Sequence, residues 1–316
     1  MTRALPAVDV VRRRERIDPI DDRKLRAALA DGSWTRITTG VFMTTVQWKA
    51  LSRLDQHRVR TREVMRRRPA ATVVSHFAAA ALNDIDVLGN WPVTIDVTCA
   101  PARGGRSSGA IRRHPRPLDG VEVCDIDGLT VTTPAQTALD LARLVPHVNA
   151  VAIIDQAIRA GRPDGRLTSV EEILRLMGSA PHRGDARAIR ALSFADAGAA
   201  NVRESQSRVE IVRMGFPKPR TQERRVLPSG RVVFGDFYWP EHDHWGELDG
   251  NGKYLSPEFD ADRQPGEIVI DEKNRENEIR RGVRGFSRWE PADIDDRRRL
   301  YDILTSDGLP STLPRP

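Results

Sequence analysis

The amino-acid sequence predicts an α+β N-terminal region with a small winged helix-turn-helix-like module, followed by an α/β C-terminal domain with a mixed central sheet. Near the N-terminus a helical pattern runs into a hairpin-like stretch, and the middle of the chain alternates strands and helices. After residue 201 the order becomes helix, three strands, helix, strand, which suits a mixed sheet with helices on its faces. A chain of 316 residues accommodates two or three such domains.

Composition favours a folded protein with a polyanionic partner. The chain has 50 Lys and Arg against 44 Asp and Glu, which gives a formal charge of +6 and makes DNA the first candidate. A GC-rich genome, which uses arginine throughout its proteins, would produce the same charge balance without such a partner. Cys99 and Cys124 are not spaced as metal ligands, and a signal peptide and long apolar runs are missing. We therefore expect a soluble, cytoplasmic protein without a membrane partner; composition leaves the oligomeric state open.

Residues 1–45 are predicted to form the winged-helix-like module. Leu25 and Leu29 share one helix face, Asp21 or Asp22 can cap its start, and Gly32 follows its end. The stretch from Trp34 to Phe42 is typical of a short hairpin. The basic side chains here either contact DNA phosphates or are solvated charges; they are Arg23, Lys24, Arg26 and Arg36.

Residues 46–165 are predicted to form an α+β middle domain. A basic helix is expected over 50–68, strands over 93–100 and 111–118, and a helix that Thr133 caps and Pro134 begins. His76 and Asp140 permit a catalytic interpretation, but buried structural roles are the better reading.

A glycine-rich basic loop spans residues 103–113 of this domain. Such loops suit phosphate contacts without sequence information, and a solvated turn is the alternative. Its candidate DNA-binding residues are Arg103, Arg106, Arg112 and Arg113.

Residues 166–200 are predicted to be a helical connector that holds the domain boundary. Thr168 and Glu171 have the spacing of a capping box, and the residues from Gly178 to Gly184 supply a break before a second amphipathic segment.

Residues 201–305 contain a candidate metal site, and residues 306–316 are predicted to be a flexible tail. Strand periodicity places Phe234, Asp236 and Tyr238 on one face, and Glu247 and Asp249 share a face of the next strand. If the two strands are neighbours, Asp236 and Glu247 converge on a hard cation, Mg²⁺ or Mn²⁺. Its expected ligands are Glu204, Asp236 and Glu247.

Lysines follow these carboxylates, although only five of the 50 basic residues are lysine. A metal that activates water, together with a lysine that orients it or stabilises charge, is the apparatus of phosphodiester hydrolysis. The candidate catalytic residues are Asp236, Glu247, Asp249, Lys253 and Lys273. The alternatives are a solvated strand end and simple charge pairing within a helix. His242 and His244 are also potential ligands, but their turn favours surface exposure.

Two resemblances cover nearly the whole chain. Gly32-x-Trp34-x-Arg36-Ile37-x-x-Gly40-Val41 resembles the wing of AbiEi-family antitoxin regulators, and the SH-x-x-Ala-Ala and GL-x-VT-x-P-x-x-TA-x-DLAR stretches resemble their middle domain. The C-terminal motifs ES-x-x-R, DF-x-WP, E-x-DG-x-x-KY and EK-x-RE resemble PD-(D/E)xK nucleases related to very-short-patch repair endonucleases. This resemblance implies a restriction-endonuclease-like fold, with Asp249 standing where the common motif has lysine.

Two functions follow as hypotheses. The first is a nucleic-acid-binding protein whose C-terminal domain hydrolyses DNA with Mg²⁺. The alternative is a non-catalytic DNA-binding transcriptional regulator or antitoxin of an AbiEi-type toxin–antitoxin or phage-defence system, with a cognate toxin or defence protein as partner. The departure at Asp249 leaves enzyme activity open.

Overall fold

The computed structural model of the protein describes residues 8–13, 22–66, 68, 72–101, 109–178, 181–249 and 265–316. The predictions on Asp21, Arg103, Arg106 and Lys253 therefore lie outside the described residues. The chain divides into two compact units, of which unit 1 comprises 1–158 and 162–193, and unit 2 comprises 159–161 and 194–316. Together they form a mixed α+β protein with three sheets, two of which mix parallel and antiparallel pairs.

Unit 1 begins with a small three-stranded antiparallel sheet of order β1-β3-β2. Its elements are β1 (Val11–Arg12), α1 (Asp22–Ala30), β2 (Trp34–Thr38), β3 (Val41–Thr44), α2 (Thr45–Ala50) and α3 (Arg53–Met65). The predicted hairpin is present, and Gly40 turns it with a φ of 70°, a conformation that costs glycine little. Val41 and Met43 are completely buried in a core with Trp48 and Val59. This core holds α2 and α3 against the sheet.

The rest of unit 1 is built on a five-stranded mixed sheet of order β6-β5-β4-β8-β7. Its elements are β4 (Val73–Val74), α4 (His76–Leu82), β5 (Ile95–Cys99), β6 (Ile111–Pro115), β7 (Val123–Ile126), β8 (Leu129–Thr132), α5 (Pro134–Leu144), α6 (His147–Ile158), α7 (Val170–Arg175) and α8 (Asp185–Leu192). Strands β5 and β6 are parallel, with Asp96 opposite Arg112 and Thr98 opposite His114. Paired residues share a face of the sheet, so these four polar residues lie on one side.

Helix caps in unit 1 test two sequence expectations. Thr133 caps α5 and Pro134 occupies its first turn, as predicted. The capping box of α7 instead uses Ser169 and Glu172, one residue later than predicted. Thr168 still contributes, because its hydroxyl donates a hydrogen bond of 2.6 Å to Glu172. Adjacent Thr and Ser residues satisfy the same spacing rule, and the start of the helix selects between them.

Unit 2 contains a four-stranded sheet of order β12-β11-β10-β9. One helix precedes the sheet in sequence, one connects its third and fourth strands, and two follow it. The elements of unit 2 are α9 (Val202–Arg213), β9 (Arg220–Val226), β10 (Val232–Trp239), β11 (His244–Leu248), α10 (Pro265–Arg281), β12 (Gly285–Trp289), α11 (Pro291–Asp295) and α12 (Arg297–Ser306), with a 3₁₀ turn at Pro240–His242. Strands β9, β10 and β11 are antiparallel neighbours, and β12 returns parallel to β11 after α10. From α9 to β12 the order of elements is the one that the sequence predicts, and α11 and α12 follow as two helices that it did not predict.

The core of unit 2 is aromatic. Phe237, Trp239 and Trp289 are nearly or completely buried, and the Phe237 and Trp289 rings lie 5.1 Å apart. The residues after Gly308, for which the sequence predicts a flexible tail, make specific contacts with this unit. Leu309 is 1% exposed, and the amide of Thr312 donates to the carbonyl of Gly215. Among the described residues, no helix is long and apolar enough to cross a membrane.

Candidate functional site

The exposed face of α1 carries three of the predicted DNA-binding side chains. Arg23, Lys24 and Arg26 are exposed, whereas Leu25 between them is buried, so one turn of helix presents its basic groups outward. Arg36 is exposed on β2 of the adjoining hairpin and donates a hydrogen bond of 3.1 Å to Thr39. The structure thus places these four predicted residues in the N-terminal module, with their charges at the surface.

The next predicted basic residues lie on β6, the edge strand of the five-stranded sheet. Arg113 is exposed. Arg112 instead forms an ion pair with Asp96, which is completely buried, and its Nη2 donates to Asp96 Oδ2 over 2.9 Å. Arg112 remains 38% exposed, so one side of its guanidinium is held by the carboxylate and the rest reaches solvent. Sequence reasoning found the arginine but not the carboxylate that positions it.

Two histidine rings stack beside this ion pair. His76 and His114 have ring centroids 3.6 Å apart at 15°, and His114 Nε2 lies 2.8 Å from Asp96 Oδ1. His76 is buried at the start of α4 with a φ of 49°, an uncommon conformation for a non-glycine residue. Burial, with a contribution from the neighbouring His114, lowers the pKa of His76 to about 3, so this ring is neutral at pH 7.

Electrostatics around Asp96 and Asp140 differ. Burial alone would raise the pKa of Asp96, but hydrogen bonds from His114 and Arg112 outweigh it and hold this pKa below its ordinary value. Burial raises the pKa of Asp140 even though Arg116 donates to it over 2.7 Å. Among the described residues, Asp140 Oδ2 and the buried hydroxyl of Thr98 have no hydrogen-bond partner. Unit 1 thus contains a polar cluster that the packing of its described residues leaves incompletely satisfied.

In unit 2, the structure brings Asp236 and Glu247 together. The pairing of Phe237 with Gly246 puts these two carboxylates at neighbouring positions of β10 and β11. Asp236 Oδ2 accepts a hydrogen bond of 2.9 Å from the amide of Leu248, and Glu247 is 3% exposed. The alternation predicted for β10 is also present, because Phe234, Asp236 and Tyr238 are all more exposed than the residues between them.

Both oxygens of Glu247 are engaged by an arginine. Arg275 on α10 places Nη2 3.0 Å from Oε1 and 3.0 Å from Oε2, and Trp245 Nε1 donates to Oε1 over 3.1 Å. Next to this pair, Arg288 on β12 lies 2.8 Å from Asp249 and 2.5 Å from Glu276. Two arginines, Arg275 and Arg288, therefore pair with the carboxylates of the predicted acidic cluster. Strand periodicity could not reveal these ion pairs, because the arginines come from the following helix and strand.

Glu204, the third predicted metal ligand, is buried at the start of α9. Its carboxylate accepts hydrogen bonds of 2.7 Å from the amide of Ala200 and from Asn201 Nδ2, so it organises the turn that starts α9. Within the described part of the chain, no three His, Cys, Asp or Glu side chains are grouped to hold a metal ion. Binding of Mg²⁺ or Mn²⁺ stays a prediction.

The remaining predicted residues separate into exposed and buried positions. Lys273 is exposed on α10, and His242 is half-buried. The expectation of surface exposure is wrong for His244, which is 1% exposed and pairs with Ser287 over 2.8 Å. The reason is that β11 begins at His244, so this ring belongs to the sheet and not to the turn.

Comparison with known proteins finds a similarity over part of the chain, mostly in unit 1. A model of the AbiEi antitoxin C-terminal domain matches residues 80–194. Two uncharacterized proteins of Mycobacterium tuberculosis, MT2308 of strain CDC 1551 / Oshkosh and Rv2248 of strain ATCC 25618 / H37Rv, are each 30% identical over 122 residues, or 39% of this chain. The aligned region spans 44% of the length of these relatives.

A solved structure, the RV2827C protein from Mycobacterium tuberculosis, aligns over 66% of this chain and 77% of its own at 16% identity. Its TM-score of 0.32 is too low to carry a structural argument. The similarity to the AbiEi antitoxin C-terminal domain rests on the match of residues 80–194, which run from within α4 to just past the end of α8.

Proposed function

We propose that this protein is a DNA-binding regulator of the AbiEi antitoxin type, which acts with a cognate toxin or defence-system protein. The observation that carries the proposal is the match of residues 80–194 to the AbiEi antitoxin C-terminal domain. The basic face of α1 and the adjoining hairpin support the DNA-binding part, because exposed Arg and Lys side chains on one helix face suit phosphate contacts.

Duplex DNA from the gene's own promoter tests this proposal. Binding is measured by fluorescence anisotropy across a salt series, because each phosphate contact contributes about 0.9 to the slope of log K against log salt. Replacing Arg23, Lys24 and Arg26 by glutamine should weaken binding and lower the slope by up to about 2.7. A matched triple variant with the same change in charge, elsewhere in unit 1, replaces exposed arginines by glutamine at Arg166, Arg183 and Arg190.

Equal loss in both triple variants would mean that only net charge attracts DNA, and unchanged binding in the α1 variant would remove α1 from the interface. The partner is tested separately by coexpression with the product of a neighbouring toxin gene. An antitoxin restores growth, whereas a protein without this role leaves the toxin active.

A second function, metal-dependent DNA hydrolysis by unit 2, rests on the adjacent carboxylates Asp236 and Glu247. Adjacent strand carboxylates are suitable ligands for a hard cation. Purified protein is incubated with plasmid DNA and Mg²⁺ or Mn²⁺, beside an Asp236→Asn variant. Cleavage by the wild type that the variant lacks would support hydrolysis; identical, background activity in both would exclude it.

A further inference from the structure

Three nitrogen-rich side chains lie at alternating positions along and just beyond β6, the outer strand of the sheet in unit 1. Arg112 and His114 lie on β6, and Arg116 follows its last residue, where its amide still donates to the carbonyl of Cys99 over 3.0 Å. A step of two residues is about 6.6 Å along a strand, so the three side chains follow one face of the edge. Their side chains are 38%, 21% and 21% exposed. Each therefore keeps part of its surface in contact with solvent.

Buried carboxylates hold both arginines from below. Asp96, with a side chain that is 0% exposed, binds Arg112 through Nε and Nη2; Asp140, with a side chain that is 2% exposed, binds Nη1 of Arg116. A guanidinium has five N–H donors, so each arginine retains donors beyond those given to its carboxylate. Fixing the arginines in advance reduces the entropy that a ligand would have to supply.

Two buried polar atoms beneath this edge lack hydrogen-bond partners among the described residues. Thr98, which shares its face with His114, is completely buried. Neither its hydroxyl nor Asp140 Oδ2 has a hydrogen-bond partner within the part of the chain that the structure describes. Buried polar atoms without a partner cost stability and are rare in native proteins. A structural role that only fastened β6 to its neighbours would not need them. A bound phosphate would accept a hydrogen bond from the Thr98 hydroxyl, whereas Asp140 Oδ2, which only accepts while it is ionised, would take one from a bridging water.

We propose that Arg112, His114 and Arg116 form a binding site for a phosphate group, positioned by Asp96 and Asp140. Two arginine forks on one face match the bidentate recognition that phosphate oxygens favour. The group is either a free phosphate or a phosphodiester of DNA. The site does not depend on the proposed contacts of α1, because it lies on a different element of unit 1.

The first experiment titrates the full chain with inorganic phosphate by calorimetry, at constant ionic strength set with chloride. The test variants are Arg112→Lys and Arg116→Lys, which keep the positive charge beside each buried carboxylate but remove the fork. We expect at least tenfold weaker phosphate binding in each, equal to about 1.4 kcal/mol. The matched control is Arg175→Lys, because this arginine also pairs with a carboxylate, Glu122, but is 62% exposed.

A second variant separates binding from stability. Thr98→Val removes the unpartnered hydroxyl at nearly constant volume, so the melting temperature without phosphate should rise or stay level. If the hydroxyl serves the site, phosphate should bind more weakly and give a smaller thermal shift than in the wild type. Wild-type protein that binds phosphate no better than chloride, or lysine variants that bind like the wild type, would overturn the proposal.

Competition identifies the source of the phosphate. Duplex DNA that displaces inorganic phosphate, and binds more weakly to Arg116→Lys, assigns the site to a DNA phosphodiester. DNA that does neither assigns it to free phosphate or a small phosphorylated compound. The α1 triple variant should retain phosphate binding in both cases, so failure of the α1 interface and failure of this site give different results.

Discussion

The ion pair between Arg275 and Glu247 offers a quantitative test of how unit 2 is held together. Glu247 is nearly buried, and Arg275, with a side chain that is 14% exposed, contacts both of its oxygens at 3.0 Å. Removing one partner of a fully buried pair costs roughly 3–5 kcal/mol, because the other charge remains without compensation. The residual exposure of Arg275 lowers the expected cost of Arg275→Met to about 2–3 kcal/mol.

Urea unfolding followed by tryptophan fluorescence measures this cost, since three of the six tryptophans lie in unit 2. The control is Lys273→Met, two residues earlier on α10, where the side chain is exposed. A double variant, Glu247→Gln with Arg275→Met, should recover part of the loss because no buried charge then remains unpaired. A loss in Arg275→Met within about 0.5 kcal/mol of the control would refute this account.

Three further predictions concern other parts of the fold. Gly235→Ala should destabilise unit 2 by about 1–3 kcal/mol in the same unfolding assay, because a Cβ there would lie 2.5 Å from the buried ring of Trp245; unchanged stability would mean that this ring can move. Burial lowers the pKa of His57 to about 4, so unfolding free energy should fall as pH decreases from about 6.5 to 4, where only the unfolded state binds the proton; because buried His76, with a pKa of about 3, adds to the same slope, His57→Phe should make that profile shallower without flattening it, and an unaltered profile would assign it to other groups. Ser169→Ala removes the cap that pairs with Glu172 and should cost about 1 kcal/mol, measured as faster amide exchange in α7; equal exchange rates would contradict the cap.

Local rules predicted the elements well, because their causes lie within a few residues. Thr133 and Pro134 predict the start of α5, and Gly40 predicts the turn of the hairpin, from local sequence alone. His244 shows the limit of the same approach. Its neighbours in sequence resemble a turn, but Ser287, its partner in the sheet, is 43 residues away.

The sequence predicted which residues belong to the candidate sites better than it predicted their hydrogen-bond and ion-pair partners. Asp236 and Glu247 could be placed together from strand periodicity and the short connection between their strands. Nothing local indicates that Arg275, 28 residues after Glu247, will engage it. Likewise, the pairing of Asp96 with Arg112 depends on β5 and β6 being parallel neighbours, which is a long-range property of the sheet.

Arginine content is consequently a poor guide to the proposed DNA-binding surface. Some of the positive charge lies inside the fold, where Arg275 neutralises the buried carboxylate of Glu247 and the buried guanidinium of Arg58 pairs with Asp55 and Asp84. The guanidinium suits this task better than an ammonium group because its fork can satisfy a carboxylate and a backbone carbonyl together, as Arg58 does with Asp84 and the carbonyl of Ala81. The same consideration applies to acidic residues, since a carboxylate predicted to bind a metal competes with nearby arginines for its own oxygens. The exposure of a basic side chain and its ion pairs, rather than the net charge of the chain, therefore indicate whether it is available for DNA or supports the fold. By this criterion the exposed basic residues of α1 are better candidates for DNA contacts than the buried, paired arginines Arg58 and Arg275.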